Sequence, residues 1–279
     1  MKILEIVLAI LFLALTNVFS QQNDNQKLTG PYLGQKPPGM TPEIFAPGII
    51  STKDDECALE INSSGNEILF IRTSKIMLMM RNTDGTWNIP VVAPFSGKFI
   101  DDEPFFSPDG NKILFMSRRP APRSKFTSNL WVSEKKDFKW LEPYQVILHN
   151  KKTMHAPSIA DNGTIYEDGI MLFHCENGTY QEPEILRSLV GIGPFIAPDE
   201  SYIIFSALNP VRNDYDLYIS FHKRDGTWSK ETSLGNQINT PATEGNSFVT
   251  ADGKYLFFSR KFNIYWISAK IIEDLRPKE

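Results

Sequence analysis

Apolar and polar positions alternate in short runs along this chain, and the runs recur as one phrase: an apolar strand, a tight turn, a second apolar strand. It reads Ala58-Leu-Glu-Ile-Asn-Ser-Ser-Gly65-Asn-Glu-Ile-Leu-Phe-Ile71, then Pro104-Phe-Phe-Ser-Pro-Asp-Gly110-Asn-Lys-Ile-Leu-Phe-Met-Ser117. Three more copies run over Pro157–Tyr166, Pro194–Ser206 and Ser247–Ser259. Gly65 and Gly253 stand four intervals apart, about 47 residues per repeat, a spacing in the range of propeller blades. A third apolar run follows each hairpin: Ile76–Met80, Leu130–Ser133, Ile170–His174, Leu217–Phe221 and Ile264–Ser268. In four of the repeats a second turn then ends in an aromatic, as in Asp84-Gly-Thr-Trp87 and Asp225-Gly-Thr-Trp228. Asp-Gly and Asn-Gly supply the positive φ angles that tight hairpins need.

The fifth repeat stops after three strands, at Lys270–Leu275, while one orphan strand, Glu43–Ile50, precedes the first repeat. Pairing the two closes the ring and removes both exposed edges. The expected fold is therefore all-β: a β-propeller of four-stranded antiparallel blades, five in number, closed by strand 43–50. A sixth, degenerate blade is the alternative, but no residues are left to build it. The expected organisation is a signal peptide over 1–20, a mobile leader over 21–42 and one propeller domain over 43–275.

The signal peptide rests on the apolar run Ile3–Val18 behind Lys2, with Val18-Phe19-Ser20 as a peptidase site. This places the protein in the periplasm or outside the cell, with no membrane span after cleavage. The leader is rich in Gln, Asn and Gly. A net charge of −4 argues against a nucleic-acid partner. Cys57 and Cys175 fall in different blades, so free thiols are expected rather than a bridge.

The Pro-Phe-Phe-Ser-Pro-Asp-Gly-Asn-Lys-Ile-Leu-Phe segment at 104–115 resembles the repeat of TolB-like (WD-repeat-like) β-propellers of the exported bacterial type. Thr250–Ser259 and the run from Gly226-Thr-Trp-Ser to Thr240 are similar to the same unit. The resemblance covers about residues 43–270. It implies the fold, but not one function: such proteins include interaction proteins, envelope-complex subunits and a few enzymes on glycans or peptides. Ser63-Ser64 in the first repeat and Glu200 in the fourth depart from its turn pattern.

Two groups of residues could carry chemistry. Loops that vary between repeats, Arg118–Thr127 and Ala207–Tyr215, offer Arg118, Arg119, Arg123, Arg212 and Tyr215, with Arg260 nearby, as ligand-binding candidates. Arginine grips carboxylated or phosphorylated ligands by paired hydrogen bonds. Alignment of the inner strands also brings Glu56, Cys57, Asp101, Asp102, Glu103, His155, Glu244 and Asn246 to the channel mouth, with Gly193 at the matching place in the fourth repeat. Asp102, His155 and Glu244 are the catalytic candidates, and Asp102, Glu103, His155 and Glu244 the metal candidates. The plainer alternative is that the acids pair with neighbouring blades. No Gly-x-Ser-x-Gly elbow, Cys-x-x-Cys or His-Glu-x-x-His pattern is present. No cofactor is expected beyond a divalent cation at that mouth. The expected function is a monomeric, exported, non-enzymatic binding module for a protein or carbohydrate. The alternatives are a lyase or hydrolase acting on acidic sugars and a structural subunit of a cell-envelope complex.

Overall fold

The computed structural model describes residues 28–121, 127–146 and 157–278. The segment read as a signal peptide, His155 and Arg123 lie outside these residues. The chain forms a five-bladed β-propeller of antiparallel blades with four main strands each. β1 (Glu43–Ile44) comes first in the chain. Blade one is β2 (Glu56–Ile61), β3 (Glu67–Arg72), β4 (Lys75–Met80) and β5 (Val91–Val92). Blade two is β6 (Asp101–Phe106), β7 (Lys112–Ser117) and β8 (Asn129–Lys136), which pairs with both β9 (Lys139–Trp140) and β10 (Tyr144–Gln145). Blade three is β11 (Ser158–Ile159), β12 (Ile165–Glu167) and β13 (Met171–Phe173); a small hairpin, β14 (Cys175–Glu176) and β15 (Thr179–Tyr180), precedes its fourth strand, β16 (Glu184–Ile185). Blade four is β17 (Ile192–Ile196), β18 (Tyr202–Asn209), β19 (Asp214–Phe221) and β20 (Thr232–Ser233). Blade five is β21 (Glu244–Val249), β22 (Tyr255–Arg260) and β23 (Asn263–Ser268), followed by the short helix α1 (Lys270–Leu275).

β1 supplies the fourth strand of blade five, with Glu43 opposite Trp266 and Ile44 opposite Tyr265. The paired strand is shorter than the expected 43–50, because the chain turns at Ala46 and Gly48 (φ 44° and 79°). Closure rests on packing more than on the short ladder. Phe45 is fully buried, and its ring meets Phe257 and Trp266 at 5.0 Å each. Residues 28–42, expected from composition to be mobile, are docked. Trp87 donates to the Leu28 and Gly30 carbonyls, and Tyr32 packs edge-on against Tyr255 at 5.0 Å. The reason is that Leu28, Tyr32 and Leu33 bury apolar surface in the seam where the ring closes.

The core lies between neighbouring blades rather than within one. One apolar cluster joins blades one, four and five; others join one to two, two to three, and three to four. The turns explain themselves chemically. In Ser107-Pro-Asp-Gly110, the Asp109 carboxylate accepts from Ser107 Oγ at 2.5 Å and from the Asn111 amide at 3.1 Å, while Gly110 takes φ 69°. Thr250, Asp252 and Gly253 repeat the arrangement. Glu200 occupies the glycine position at φ 59°, and its carboxylate accepts from Tyr166 Oη at 2.7 Å and Asn162 Nδ2 at 2.9 Å, tying blade four to blade three.

Four inner strands carry the same bulge. Register breaks between Cys57 and Glu60, Asp102 and Phe105, Ile192 and Phe195, and Gly245 and Phe248. Inside each break one residue has positive φ: Ala58 (50°), Glu103 (51°), Gly193 (58°) and Asn246 (46°). A bulge bends its strand and takes residues off the ladder. Here residues of all four bulges line one shared recess.

Candidate functional site at the channel mouth

Strand register places the start of each inner strand beside the loop between the second and third strands. Glu56 faces Arg72, which faces Lys75; Glu244 faces Arg260, which faces Asn263. The variable loops and the acids of the inner strands therefore share one face. Three connected recesses open there. A small chamber of about 40 Å³ is lined from all five blades, by Ala58–Glu60, Glu103–Phe105, Pro157, Gly193–Phe195, Asn246 and Ser247. A recess of about 370 Å³ holds Glu103, Asp168, Ile192, Tyr215, Glu244 and Asn246. A third, of about 450 Å³, lies between blades five and one against Asp55, Cys57, Thr243, Arg260 and Phe262.

Three of the mouth acids belong to a repeated staple. Glu56 accepts from Thr52 Oγ1 at 2.6 Å and from Arg72 Nε at 2.8 Å. Glu244 accepts from Thr240 Oγ1 at 2.6 Å and from Arg260 Nε at 2.9 Å. Asp101 accepts from Ser96 Oγ at 2.7 Å and from Arg119 Nη2 at 3.0 Å. Each arginine also donates to the chain linking its blade to the one before: Arg72 to Ile49 and Ile50, Arg119 to Phe95, Arg260 to Gln237 and Ile238. All three acids are 0% exposed. Arg119 lies over the rings of Phe115 and Trp131, and Arg260 over Tyr265. A buried charge must be paired and hydrogen-bonded; the staple does this and clamps each linker. Burial pushes the Glu244 carboxyl up from its usual range, against the pull of Thr240 and Arg260.

Among the sequence candidates, Glu103, Tyr215 and Glu244 line one recess, and Arg260 lines the next. Asp102 is half-buried beside Cys57, whose thiol is pushed up to about 12 by burial and by the charges of Asp102, Glu103, Asp55 and Glu56. Arg118 is exposed and Arg119 buried. Arg212 is bound to Asp214 at 2.9 Å and to Asp216. His155 and Arg123 lie outside the described residues, and among those described no three His, Cys, Asp or Glu side chains gather as a metal site. The stretch 207–215, expected as a loop, is the end of a hairpin: β18 and β19 stay paired out to Asn209 and Asp214.

Sequence reasoning missed Asp168, Ile192 and Thr243 in the recesses, and Glu60 beneath them. Asp168 accepts from the Gly193 amide at 2.7 Å, which holds the blade-four bulge in place. The staple did leave a signal. Thr52 to Glu56 and Thr240 to Glu244 are both four apart, and Glu56 to Arg72 and Glu244 to Arg260 are both sixteen apart.

No family model matches the chain, and no curated protein matches it. Solved structures do resemble it. A protein assigned as TolB from Agrobacterium tumefaciens has 14% identity and a TM-score of 0.49, over 75% of this chain and 71% of that one. A gluconolactonase from Xanthomonas campestris has 10% identity and a TM-score of 0.49, over 88% and 98%. A chain of a nidogen/laminin complex has 14% identity and a TM-score of 0.48, over 73% and 74%. Likeness at this level assigns neither a family nor an activity. No helix among the described residues is long and apolar enough to cross a membrane.

Proposed function

We propose that the chain is an exported, non-catalytic binding propeller that takes a protein partner on the mouth face. The observation that carries this reading is an apolar rim beside two open recesses. Val211, at the tip of the blade-four arm, is 91% exposed, and Phe262, at the blade-five turn, is 66% exposed; Ile192 and Leu208 are exposed with them. Exposed apolar side chains grouped on one face mark interaction surfaces. Both tips are held rigid. Asn209 Oδ1 accepts from the Val211 and Arg212 amides, while Lys261 and Phe262 both take positive φ, as a tight hairpin turn demands. A rigid rim loses little entropy on binding. The burial of Glu244 behind Arg260 supports binding over acid–base chemistry, since a general acid or base must reach its substrate.

A photo-crosslinking residue at position 211 or 262, expressed in the native host, tests the reading. Phe138, equally bare on a turn at the opposite face, is the control. One discrete protein adduct from 211 and 262, absent from 138, is the expected result. Adducts of equal pattern from all three sites, or none, would count against a mouth-face partner. Tyr215, Asp168, Glu103 and Asn246 around one recess also suit a sugar, with an aromatic face beside hydrogen-bonding groups. Binding on a glycan array, lost in Tyr215→Ala, would favour that second reading.

A further inference from the structure

We propose that the floor of the mouth, on the propeller axis, binds one small hard cation through the Glu60 carboxylate and the Ser247 hydroxyl. The chamber there is about 40 Å³, room for one or a few water-sized particles. Glu60 lines it and is only 7% exposed, yet has no hydrogen bond or ion pair within the described residues. At the matching position blades two, four and five carry Phe105, Phe195 and Phe248. Burial among phenylalanines pushes the Glu60 carboxyl well above its usual range, so it stays a neutral acid unless a positive charge answers it. Ser247 lines the same chamber, and its buried Oγ has no partner among the described residues. Two polar groups left open in one small space point to a missing occupant.

The wall decides the sign of that occupant. Bulges take the chain off the ladder at residues 58–59, 103–104, 193–194 and 246–247. Pro104, Pro157 and Pro194 have no N–H, so this ring is short of donors while its oxygens remain. Among the described lining residues, Glu60, Glu103, Asn246 and Ser247 offer carboxylate, amide and hydroxyl oxygens, and none is His or Cys. Such a set suits alkali or alkaline-earth ions rather than zinc or copper. Glu103, Gly193 and Asn246 belong both to the chamber and to the 370 Å³ recess above it, which gives the ion a way in.

The test uses the full mature chain, made cation-free and held at constant ionic strength with tetramethylammonium chloride. Calcium, magnesium, sodium, potassium and methylammonium are titrated separately, read by calorimetry and by melting temperature. One inorganic cation is expected to bind at one site per chain and raise the melting temperature saturably. Glu60→Gln keeps shape without charge and is expected to abolish the shift; Ser247→Ala, the milder change, is expected to weaken it. Absence of saturable binding by the wild-type chain would overturn the proposal, as would undiminished binding in folded Glu60→Gln. A shift from methylammonium alone, lost in Glu60→Gln, would overturn the inorganic assignment and give the site to a ligand's ammonium group. None of these outcomes depends on whether a protein docks on the rim.

Discussion

Single residues at the mouth are set by what surrounds them rather than by their type. Cys57 is the sharpest case. A thiol is reactive as the thiolate, and here burial and four nearby acids hold the proton on, at about 12. The folded chain keeps this proton when the unfolded chain would release it near 8.5. Stability from this group is therefore fully present below that pH and falls as pH rises toward 12. The expected outcome at pH 8 is alkylation of Cys57 by iodoacetamide on the order of 10²-fold slower in the native chain than in urea. Mass spectrometry of the Cys57 peptide over time reads this directly; equal rates would mean the mouth lacks the negative field described. Gly191 shows the same dependence on context sterically. A Cβ there would lie 2.2 Å from Phe205 Cδ2 and 2.8 Å from the Ser206 carbonyl, so blade four has no room for the staple acid.

At the level of elements, the staple is what turns blades into a ring with fixed linkers. Arg119→Ala would leave the Asp101 carboxylate buried and unpaired, and would strip a guanidinium from between aromatic rings. A loss of about 3–5 kcal/mol is expected, read as a lower urea midpoint. The double variant Asp101→Asn, Arg119→Met is expected to recover a large part of it, since an uncharged pair of similar volume avoids the lone charge and the new amide oxygen can still accept from Ser96. Equal losses in single and double variants would show that the packing of Arg119, not its charge, holds the linker. The hairpins were legible in advance, because Asp-Gly and Ser-Pro-Asp-Gly turns act through their own side chains on their own backbone. The pairing of Asp101 with Arg119 was not, since it joins two strands through a fold that local pattern does not encode. The docking of residues 28–42 was hidden for a related reason: Tyr32 and Leu33 are isolated apolar residues until the closed ring offers them a seam.

For the whole molecule, closure is the decisive event. Phe45 is wedged between Phe257 and Trp266, so one aromatic side chain joins the first strand to two rings of the last blade. Phe45→Ala is expected to cost about 3–5 kcal/mol. If the ring unfolds as one unit, near-ultraviolet and far-ultraviolet circular dichroism will shift together to a lower melting temperature. Separate transitions would mean that blade five opens by itself.

Repeat length, turn chemistry and the missing last strand were enough to derive a closed five-bladed propeller, because each depends on residues near in sequence or on counting strands. The face carrying the variable loops followed from that topology. What only the tertiary structure decided is which charged residues remain open. For the acids Glu56, Asp101 and Glu244 the sequence left open a ligand site or pairing, and each is consumed by an arginine of its own blade sixteen or eighteen residues away. Nothing in the sequence marks Glu60, and it sits enclosed at the axis with no partner among the described residues. The physical reason is that charge pairing and desolvation are set by distances across blades, which strand periodicity leaves undetermined.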